Sequence, residues 1–278
     1  MATNDTYPVE MNRPVISFES YGSGRPLVIV HGWRLDGHVE QRDLEPIFDG
    51  LQGWRRIYVN LPGMGGNAPD DRIHSQDDFL EALEHFVRRL LPSGPIALAG
   101  TSTGANLVRA LAHRQSGRVK GLLMRVPMLV ADDAQRSGPD SLEGTQVRAQ
   151  FAQQEAKKVE GLWNPARERS DEAFLRPIRS SPARYELSDP THGGTEVKAP
   201  CLMVVGRQDD QVGYRDAIRL LEAYPRLSLA VLDRAGHALP TVNQRELFRA
   251  LVREWLARVE EVWDLENKTW DVSSSLAR

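Results

Sequence analysis

Cysteine is almost missing from this chain. Cys201 is the single cysteine among 278 residues, so neither a disulfide within the chain nor a metal site built from several cysteines is possible. Because Cys201 lies in an apolar strand-like run, we expect a small buried side chain rather than a reactive thiol. We therefore predict no metal site and no redox chemistry.

A strong excess of charge is also missing. Lysine and arginine number 35 against 38 aspartates and glutamates, which gives a formal net charge of −3. The basic residues are spread along the chain, so no patch is expected to attract nucleic acid or an anionic membrane surface. The expected partner is a small-molecule substrate, and the composition leaves the oligomeric state open.

Long hydrophobic runs are absent too. No apolar stretch approaches the ~20 residues that a membrane-spanning helix needs, and Met1–Asp5 has neither the basic start nor the apolar stretch of a secretion signal. We therefore expect a cytoplasmic protein. The hydrophobic content of 41% over 278 residues is enough for one large core, and a single domain with an insertion accounts for this length.

Short apolar runs typical of buried strands alternate with amphipathic helical patterns. The strand-like runs are Pro26–Val30, Arg56–Asn60, Pro95–Ala99, Val119–Pro127, Cys201–Val205 and Leu227–Leu232. Helical spacing of apolar residues covers Gln76–Leu91, Thr103–Arg114 and Asn243–Trp263. This alternation predicts an α/β fold in which helices cover both faces of a mostly parallel sheet. The residues beyond Leu265 are predicted to form a polar tail.

The pentapeptide Gly100–Gly104, Gly-Thr-Ser-Thr-Gly, lies between a strand run and a helical segment. Its central residue, Ser102, would occupy a sharp turn from strand to helix. Gly100 and Gly104 flank it where a side chain would collide with neighbouring backbone, so a strained turn can present the hydroxyl as a nucleophile. Alone the pattern is weak, because glycine, serine and threonine are common in loops.

Other strand runs end beside residue types that acyl transfer uses. These endings are His31–Trp33, Gly206–Asp209 and Gly236–His237. Together with the serine pentapeptide they resemble the α/β-hydrolase family, in its serine esterase and lactonase branch, over roughly residues 15–264. The order serine, aspartate, histidine is the order of that family. The resemblance implies an α/β-hydrolase core.

Acyl transfer needs an activated nucleophile and a stabilised oxyanion. Ser102, His237 and Asp209 supply a nucleophile, a general base and a carboxylate that holds the imidazole in the required tautomer. The resemblance implies that the backbone amides of Trp33 and Thr103 form the oxyanion hole. Among seven histidines, His237 alone follows both a strand run and a glycine.

The acid has two rival positions. Asp210 is the immediate neighbour of Asp209, but the spacing from Gly206 favours Asp209. In some family members the acid instead follows the strand after the serine-bearing helix. That strand ends here in Arg125–Met128, which contains no carboxylate, so we expect the acid at Asp209.

A glycine-rich loop, Gly63–Ala68, satisfies a dinucleotide-binding pattern after a strand. A phosphate-binding loop must open directly into a helix, and Pro69–Asp71 intervenes and brings negative charge. We therefore expect no nucleotide cofactor. The segment also fits a loop of the α/β hydrolases, with Asn60 in place of the usual aspartate, which puts one supporting hydrogen bond in doubt.

The strand pattern disappears between residues 128 and 197, and we predict a helical cap there, with residues 1–127 and 198–278 as the core. Helical spacing over Gln146–Leu162, the start at Ser170–Glu172 and the pair Ser181-Pro182 predict about three helices. Because no strong charge is available, the cap aromatics are expected to form an apolar pocket. The predicted substrate-contacting residues are Trp33, Met128, Phe151, Trp163, Phe174 and Tyr185.

These features predict a serine hydrolase that cleaves a carboxylic ester or lactone through an acyl-enzyme. Ser102 excludes the dehalogenases and epoxide hydrolases whose nucleophile is aspartate. Carbon–carbon bond hydrolysis uses the same three residues but usually a glycine-rich oxyanion loop. A non-hydrolytic receptor or lyase on the same fold is a further alternative.

Overall fold

The computed structural model describes residues 3–4, 15–139, 146–188 and 196–275. Within these residues eight strands form one sheet in the order β1-β2-β4-β3-β5-β6-β7-β8. The strands are β1 (Thr3–Asn4), β2 (Ser17–Tyr21), β3 (Arg25–Val30), β4 (Trp54–Asn60), β5 (Ile96–Thr101), β6 (Val119–Arg125), β7 (Cys201–Gly206) and β8 (Leu227–Leu232).

The six neighbouring strands from β4 to β8 in this order are parallel. The strand β1 pairs antiparallel with β2, and β2 pairs antiparallel with β4. Every residue of β5 and β7 is buried, as expected for central strands covered on both faces. The predicted α/β class with a mostly parallel sheet is confirmed. Since parallel strands share their carboxyl ends, the loops after β3, β5 and β7 meet at one edge of the sheet.

Helices cover both faces of the sheet. In the first half of the chain they are α1 (Gly37–Leu44), α2 (Gln76–Leu90) and α3 (Thr103–Arg114). Asp36 and Ser75 begin α1 and α2 with side chains that accept hydrogen bonds from the N–H groups of Val39 and Asp78. The predicted bounds of α2 and α3 agree with the structure to within one residue.

Between β6 and β7 the described residues form short helices. They are α4 (Ala152–Lys158), a π-helical turn (Val159–Trp163), α5 (Asn164–Glu168), α6 (Glu172–Arg179) and α7 (Pro182–Tyr185). The predicted starts near Asp171 and at Pro182 agree with α6 and α7. The single helix expected over Gln146–Leu162 is instead divided into a helical turn at residues 146–149, α4 and the π turn.

After β7 come α8 (Arg215–Ile218) and the long α9 (Arg245–Ser275). The residues beyond Leu265, predicted to form a polar tail, continue the helical backbone of α9 to Ser275. No glycine or proline interrupts this stretch. The helix is also anchored close to its predicted end, where the Trp54 indole N–H donates to Glu260 at 2.7 Å and the Trp54 and Trp263 rings meet edge-on at 6.1 Å.

Gly104 is the position where α3 lies closest to the sheet. A Cβ atom there would lie 2.3 Å from the carbonyl oxygen of His31. We expect Gly104→Ala to lower the free energy of unfolding by about 3 kcal/mol or more, because backbone must move. Urea denaturation measures this change. Gly117→Ala is the control: no atom lies within 4 Å of its Cβ, so the change should stay within about 1 kcal/mol. Equal stability of the two variants would contradict the close contact.

Candidate active site

Ser102 occupies a strained turn between β5 and α3. Its backbone angles are φ 55° and ψ −118°, a conformation that L-residues avoid. The flanking glycines make the turn possible: a Cβ at Gly100 would lie 2.4 Å from the Gly104 carbonyl oxygen. The surrounding packing therefore holds Ser102 in a conformation that it would not adopt alone.

Three side chains form a continuous hydrogen-bonded series at this turn. The Ser102 Oγ lies 3.0 Å from His237 Nε2, and His237 Nδ1 lies 2.7 Å from Asp209 Oδ2. Because a carboxylate only accepts hydrogen bonds, Nδ1 carries the imidazole proton and Nε2 is free to accept from the hydroxyl. The arrangement has the geometry that transfers a proton from serine to histidine.

Backbone amides fix the carboxylate of Asp209. Its Oδ1 accepts from the N–H groups of Gln211 at 2.9 Å and Val212 at 3.0 Å, and the residue is fully buried. The side chain of the neighbouring Asp210 is 46% exposed and pairs with Arg148 instead. Of the two candidate acids, Asp209 is therefore the one in contact with His237.

The backbone amides of Trp33 and Thr103 lie next to the Ser102 turn. Neither N–H has a hydrogen-bond acceptor among the residues described. Thr103 is the first residue of α3, where an unpaired N–H and the positive end of the helix dipole are expected. A Cβ on Gly32 would lie 3.3 Å from the Ser102 Cβ, which shows how closely the loop after β3 approaches the serine.

His31 and Asn60 support that loop. His31 Nε2 accepts from the Leu61 N–H at 3.1 Å, so the proton is on Nδ1, which donates to the Gly32 carbonyl at 2.8 Å. Burial lowers the pKa of His31 and keeps it neutral. Asn60 Oδ1 accepts from the Gly37 N–H at 2.8 Å. An amide oxygen thus makes a hydrogen bond to the start of α1, although the usual aspartate is absent.

A buried ion network, which sequence reasoning missed, lies beneath the Ser102 turn. Arg125 donates to Glu40 at 2.7 Å, to Asp43 at 2.5 Å and to the Thr101 hydroxyl at 2.9 Å. Thr101 also donates to Glu40 at 2.9 Å and directly precedes Ser102. Burial raises the pKa of Glu40, and Arg125 opposes that shift. The network fixes the carboxyl ends of β5 and β6 against α1.

Lys158 of α4 extends this network to the helices between β6 and β7. Its ammonium contacts Asp43 at 2.7 Å and donates to the Pro240 carbonyl at 3.0 Å. Burial lowers the pKa of Lys158, and the attraction of Asp43 opposes the shift. These partners are far apart in the sequence, so no local pattern could identify them.

A cavity of about 780 Å³ contains Ser102 and His237. Four of the six predicted substrate-contacting residues line it: Trp33, Met128, Trp163 and Tyr185. Trp163 meets the His237 ring edge-on at 6.1 Å. Trp33 and Tyr185 pack together edge-on at 5.0 Å, and the Tyr185 hydroxyl bonds to the Thr103 hydroxyl at 2.8 Å. These aromatic side chains form one wall beside the serine.

Phe151 and Phe174 do not line the cavity, so these two predictions are wrong. Phe174 packs against Phe79 at 6.4 Å and against Gly63, where a Cβ would lie 2.4 Å from its ring. Phe151 is 4% exposed and precedes α4. Both rings bury the short helices against their surroundings. Helical spacing marks such residues as buried but does not tell which buried surface they cover.

The cavity is also more charged than expected. Five arginines and three carboxylates line it: Arg34, Arg136, Arg167, Arg176 and Arg179, with Asp133, Glu172 and Asp210. The nearly balanced overall composition conceals this local distribution. Among the residues described, no cluster of three or more metal-ligating side chains occurs, and no helix has the length and apolar character needed to cross a bilayer.

Comparisons with known proteins agree with the observed fold. A family model described as alpha/beta hydrolase fold matches residues 25–241. Non-heme chloroperoxidase CPO-A1 from Kitasatospora aureofaciens is 26% identical over 269 residues, which cover 87% of this chain and 95% of that protein. The pimeloyl-(acyl-carrier protein) methyl ester esterase of Shewanella sp. (strain MR-7) is 26% identical over 278 residues, 93% of this chain and 100% of the relative.

A solved structure shares the fold. The alpha/beta superfamily hydrolase from Oenococcus oeni PSU-1 superposes with a TM-score of 0.76 at 25% identity, over 88% of this chain and 96% of that chain. The match thus extends beyond the motifs at the sheet edge to most of both chains.

Arg125 neutralises two buried carboxylates, so its removal should be costly. We expect Arg125→Met to lower the free energy of unfolding by about 3–5 kcal/mol, because Glu40 then loses its cation. Chemical denaturation at neutral pH measures the loss. Arg88→Met serves as the control, since the 2.8 Å pair of Arg88 with Glu84 is exposed on α2 and should contribute less than about 1 kcal/mol. A loss no greater than that of the control would contradict the role of the network.

Proposed function

Because the chain belongs to the alpha/beta hydrolase fold family, we propose that it is a serine hydrolase that cleaves a small-molecule carboxylic ester or lactone through an acyl-enzyme. The observation that carries this proposal is the hydrogen-bonded series from Ser102 through His237 to Asp209 at a strained turn. One relative is by name a methyl ester esterase, which supports ester cleavage over other reactions of the fold.

In the proposed reaction the Ser102 hydroxyl attacks the ester carbonyl carbon while its proton passes to His237 Nε2. Asp209, which accepts from Nδ1, stabilises the imidazolium that results. The imidazolium then returns the proton to the departing alkoxide, and the acyl group remains on Ser102. Water, deprotonated by the same nitrogen, attacks the acyl-enzyme and releases the acid.

The oxyanion of each tetrahedral intermediate needs donors that are already oriented. The N–H groups of Trp33 and Thr103 are proposed for this role, since both adjoin the serine and both lack an acceptor among the described residues. Donors of this kind contribute about 10²–10³-fold to kcat each. The Trp33 indole, by contrast, acts on the shape of the cavity, because only its backbone would hold the charge.

Residues 128–197 are proposed as a cap that sets substrate choice, with residues 1–127 and 198–278 as the core that carries the reaction. Trp163 and Tyr185 of that segment reach the cavity, while Lys158 attaches it to Asp43 of the core. A cap of this kind limits water access and selects the acyl or alcohol group that enters.

Ser102→Ala tests the nucleophile. We expect turnover of p-nitrophenyl esters to fall by about 10⁴-fold or more, because no acyl-enzyme can form, with thermal stability retained. Labelling by a fluorophosphonate should disappear as well. Retention of either activity in a folded variant would contradict the assignment.

The acid is tested by a matched pair of variants. Asp209→Asn removes the carboxylate that orients His237 and should lower kcat by about 10⁴-fold through the wrong tautomer. Asp210→Asn breaks only an exposed pair with Arg148, so we expect a change of less than about threefold. Steady-state kinetics on one ester compare the two, and the reverse ranking would move the acid to Asp210.

A further inference from the structure

The loop that carries His237 has few backbone contacts of its own. It lies between β8 and α9, and residues 235–240 are all buried. Before the histidine, the Ala235 carbonyl accepts from the Gln208 N–H at 2.9 Å. From residue 236 to residue 240, no backbone–backbone hydrogen bond forms among the described residues. Because buried backbone groups need partners, side chains from elsewhere must hold this stretch.

The helix α4 supplies those side chains. Glu155 accepts a hydrogen bond from the Ala238 N–H. Its Oε1 also lies so close to Gly236 that a Cβ atom there would be 2.3 Å away. One turn further along α4, Lys158 donates to the Pro240 carbonyl at 3.0 Å. A single helix between β6 and β7 thus contacts the backbone on both sides of His237.

Glu155 makes this contact at a cost in free energy. The side chain is buried, and its Oε2 has no hydrogen-bond partner among the described residues. Its ion pair with Arg148 is long, at 3.6 Å. Burial raises the pKa of Glu155, and Arg148 and the Ala238 N–H oppose that shift. A buried carboxylate with one unpaired oxygen contributes little net stability, so its contact with the histidine loop needs a different explanation.

The two partners of His237 are held by contacts outside α4. The strained turn fixes Ser102, and two backbone amides fix Asp209. The imidazole must lie 3.0 Å from the first and 2.7 Å from the second. A displacement of about 1 Å at a reacting group can lower the rate by about 10²-fold. Proton transfer therefore depends on where the loop places His237.

We propose that Glu155 is a positioning residue for His237: by holding the backbone at Ala238, it keeps the imidazole within reach of its two hydrogen-bond partners. This inference rests on the proposed serine hydrolase activity. Glu155 does not line the cavity, so it acts through the histidine and not on the substrate. Its removal should therefore lower kcat and leave KM nearly unchanged.

Substitutions of Glu155 test this role with a p-nitrophenyl ester. In Glu155→Ala we expect kcat to fall by about 10–100-fold, with KM within about threefold of the unaltered value. Glu155→Gln keeps the length of the side chain and an oxygen that can accept from Ala238, so kcat should return to within about threefold. Asp77→Ala is the control. Asp77 on α2 accepts from the Ser188 N–H at 3.1 Å, a carboxylate–amide contact that does not involve the histidine loop, and its loss should leave kcat unchanged.

Gly236→Ala displaces the same carboxylate from the opposite side. The three atoms nearest to a Cβ at Gly236 all belong to the Glu155 carboxylate. We expect this variant to lower kcat in the unaltered enzyme, and to cause no further loss once Glu155→Ala has opened the space. Equal losses in the two backgrounds would overturn the proposed contact.

A double-mutant cycle with His237→Ala separates positioning from a structural role. If Glu155 acts through the imidazole, Glu155→Ala should change the residual turnover of the His237→Ala variant by less than about twofold. A loss of about 10–100-fold that persists without the imidazole would overturn the inference. Thermal denaturation of every variant confirms that folded protein is compared.

The outcomes distinguish this inference from the proposed function. If the unaltered protein neither cleaves the ester nor reacts with a fluorophosphonate, ester hydrolysis is wrong and the inference is overturned with it. If the unaltered protein is active but Glu155→Ala has the same kcat as Asp77→Ala, the positioning role is overturned and ester hydrolysis stands. The same holds if folded Glu155→Gln is as slow as Glu155→Ala. Should Glu155→Ala fail to fold, Gly236→Ala decides: an unchanged kcat in that variant would overturn the role.

Discussion

The close approach of backbone to backbone around Ser102 is the constraint on which the site depends. Atoms of His31 and Gly104 come so near that a single methyl group on Gly104 would lie 2.3 Å from a carbonyl oxygen. This contact brings the start of α3 against the end of β3 and so places the Thr103 amide beside the loop that carries Trp33. Strain at Ser102, with φ of 55°, is offset by the packing of the central sheet.

A network of buried charged side chains also contacts the serine turn. Arg125 and Glu40 are almost fully buried, and their hydrogen bonds offset the cost of removing the pair from water only in part, because Glu40 Oε1 has no partner among the described residues. Here the bonds extend to Thr101, next to the serine, and through Asp43 to Lys158 on α4. The network thereby connects the serine turn, α1 and the short helices that enclose the cavity, and it favours one arrangement of the three.

Local patterns in the sequence were sufficient for the six parallel strands, for α2 and α3 and for the residues that meet at Ser102, but not for the antiparallel β1 and β2. Each motif follows a strand, and parallel strands bring their endings together. What depends on contacts between distant segments was not predictable: Phe174 packs on Gly63 instead of entering the cavity. The arginines that line the cavity come from several segments, and α9 continues past Leu265 because nothing in its sequence stops it.

The central claim is that one strained turn presents a serine to a histidine and to two backbone donors. A crystal structure of the enzyme inactivated by an alkyl phosphonate tests it most directly. We expect phosphorus bonded to Ser102 Oγ and a phosphoryl oxygen about 2.7–3.1 Å from the amide nitrogens of Trp33 and Thr103. Phosphorus on another residue, or a phosphoryl oxygen directed away from both amides, would contradict the account.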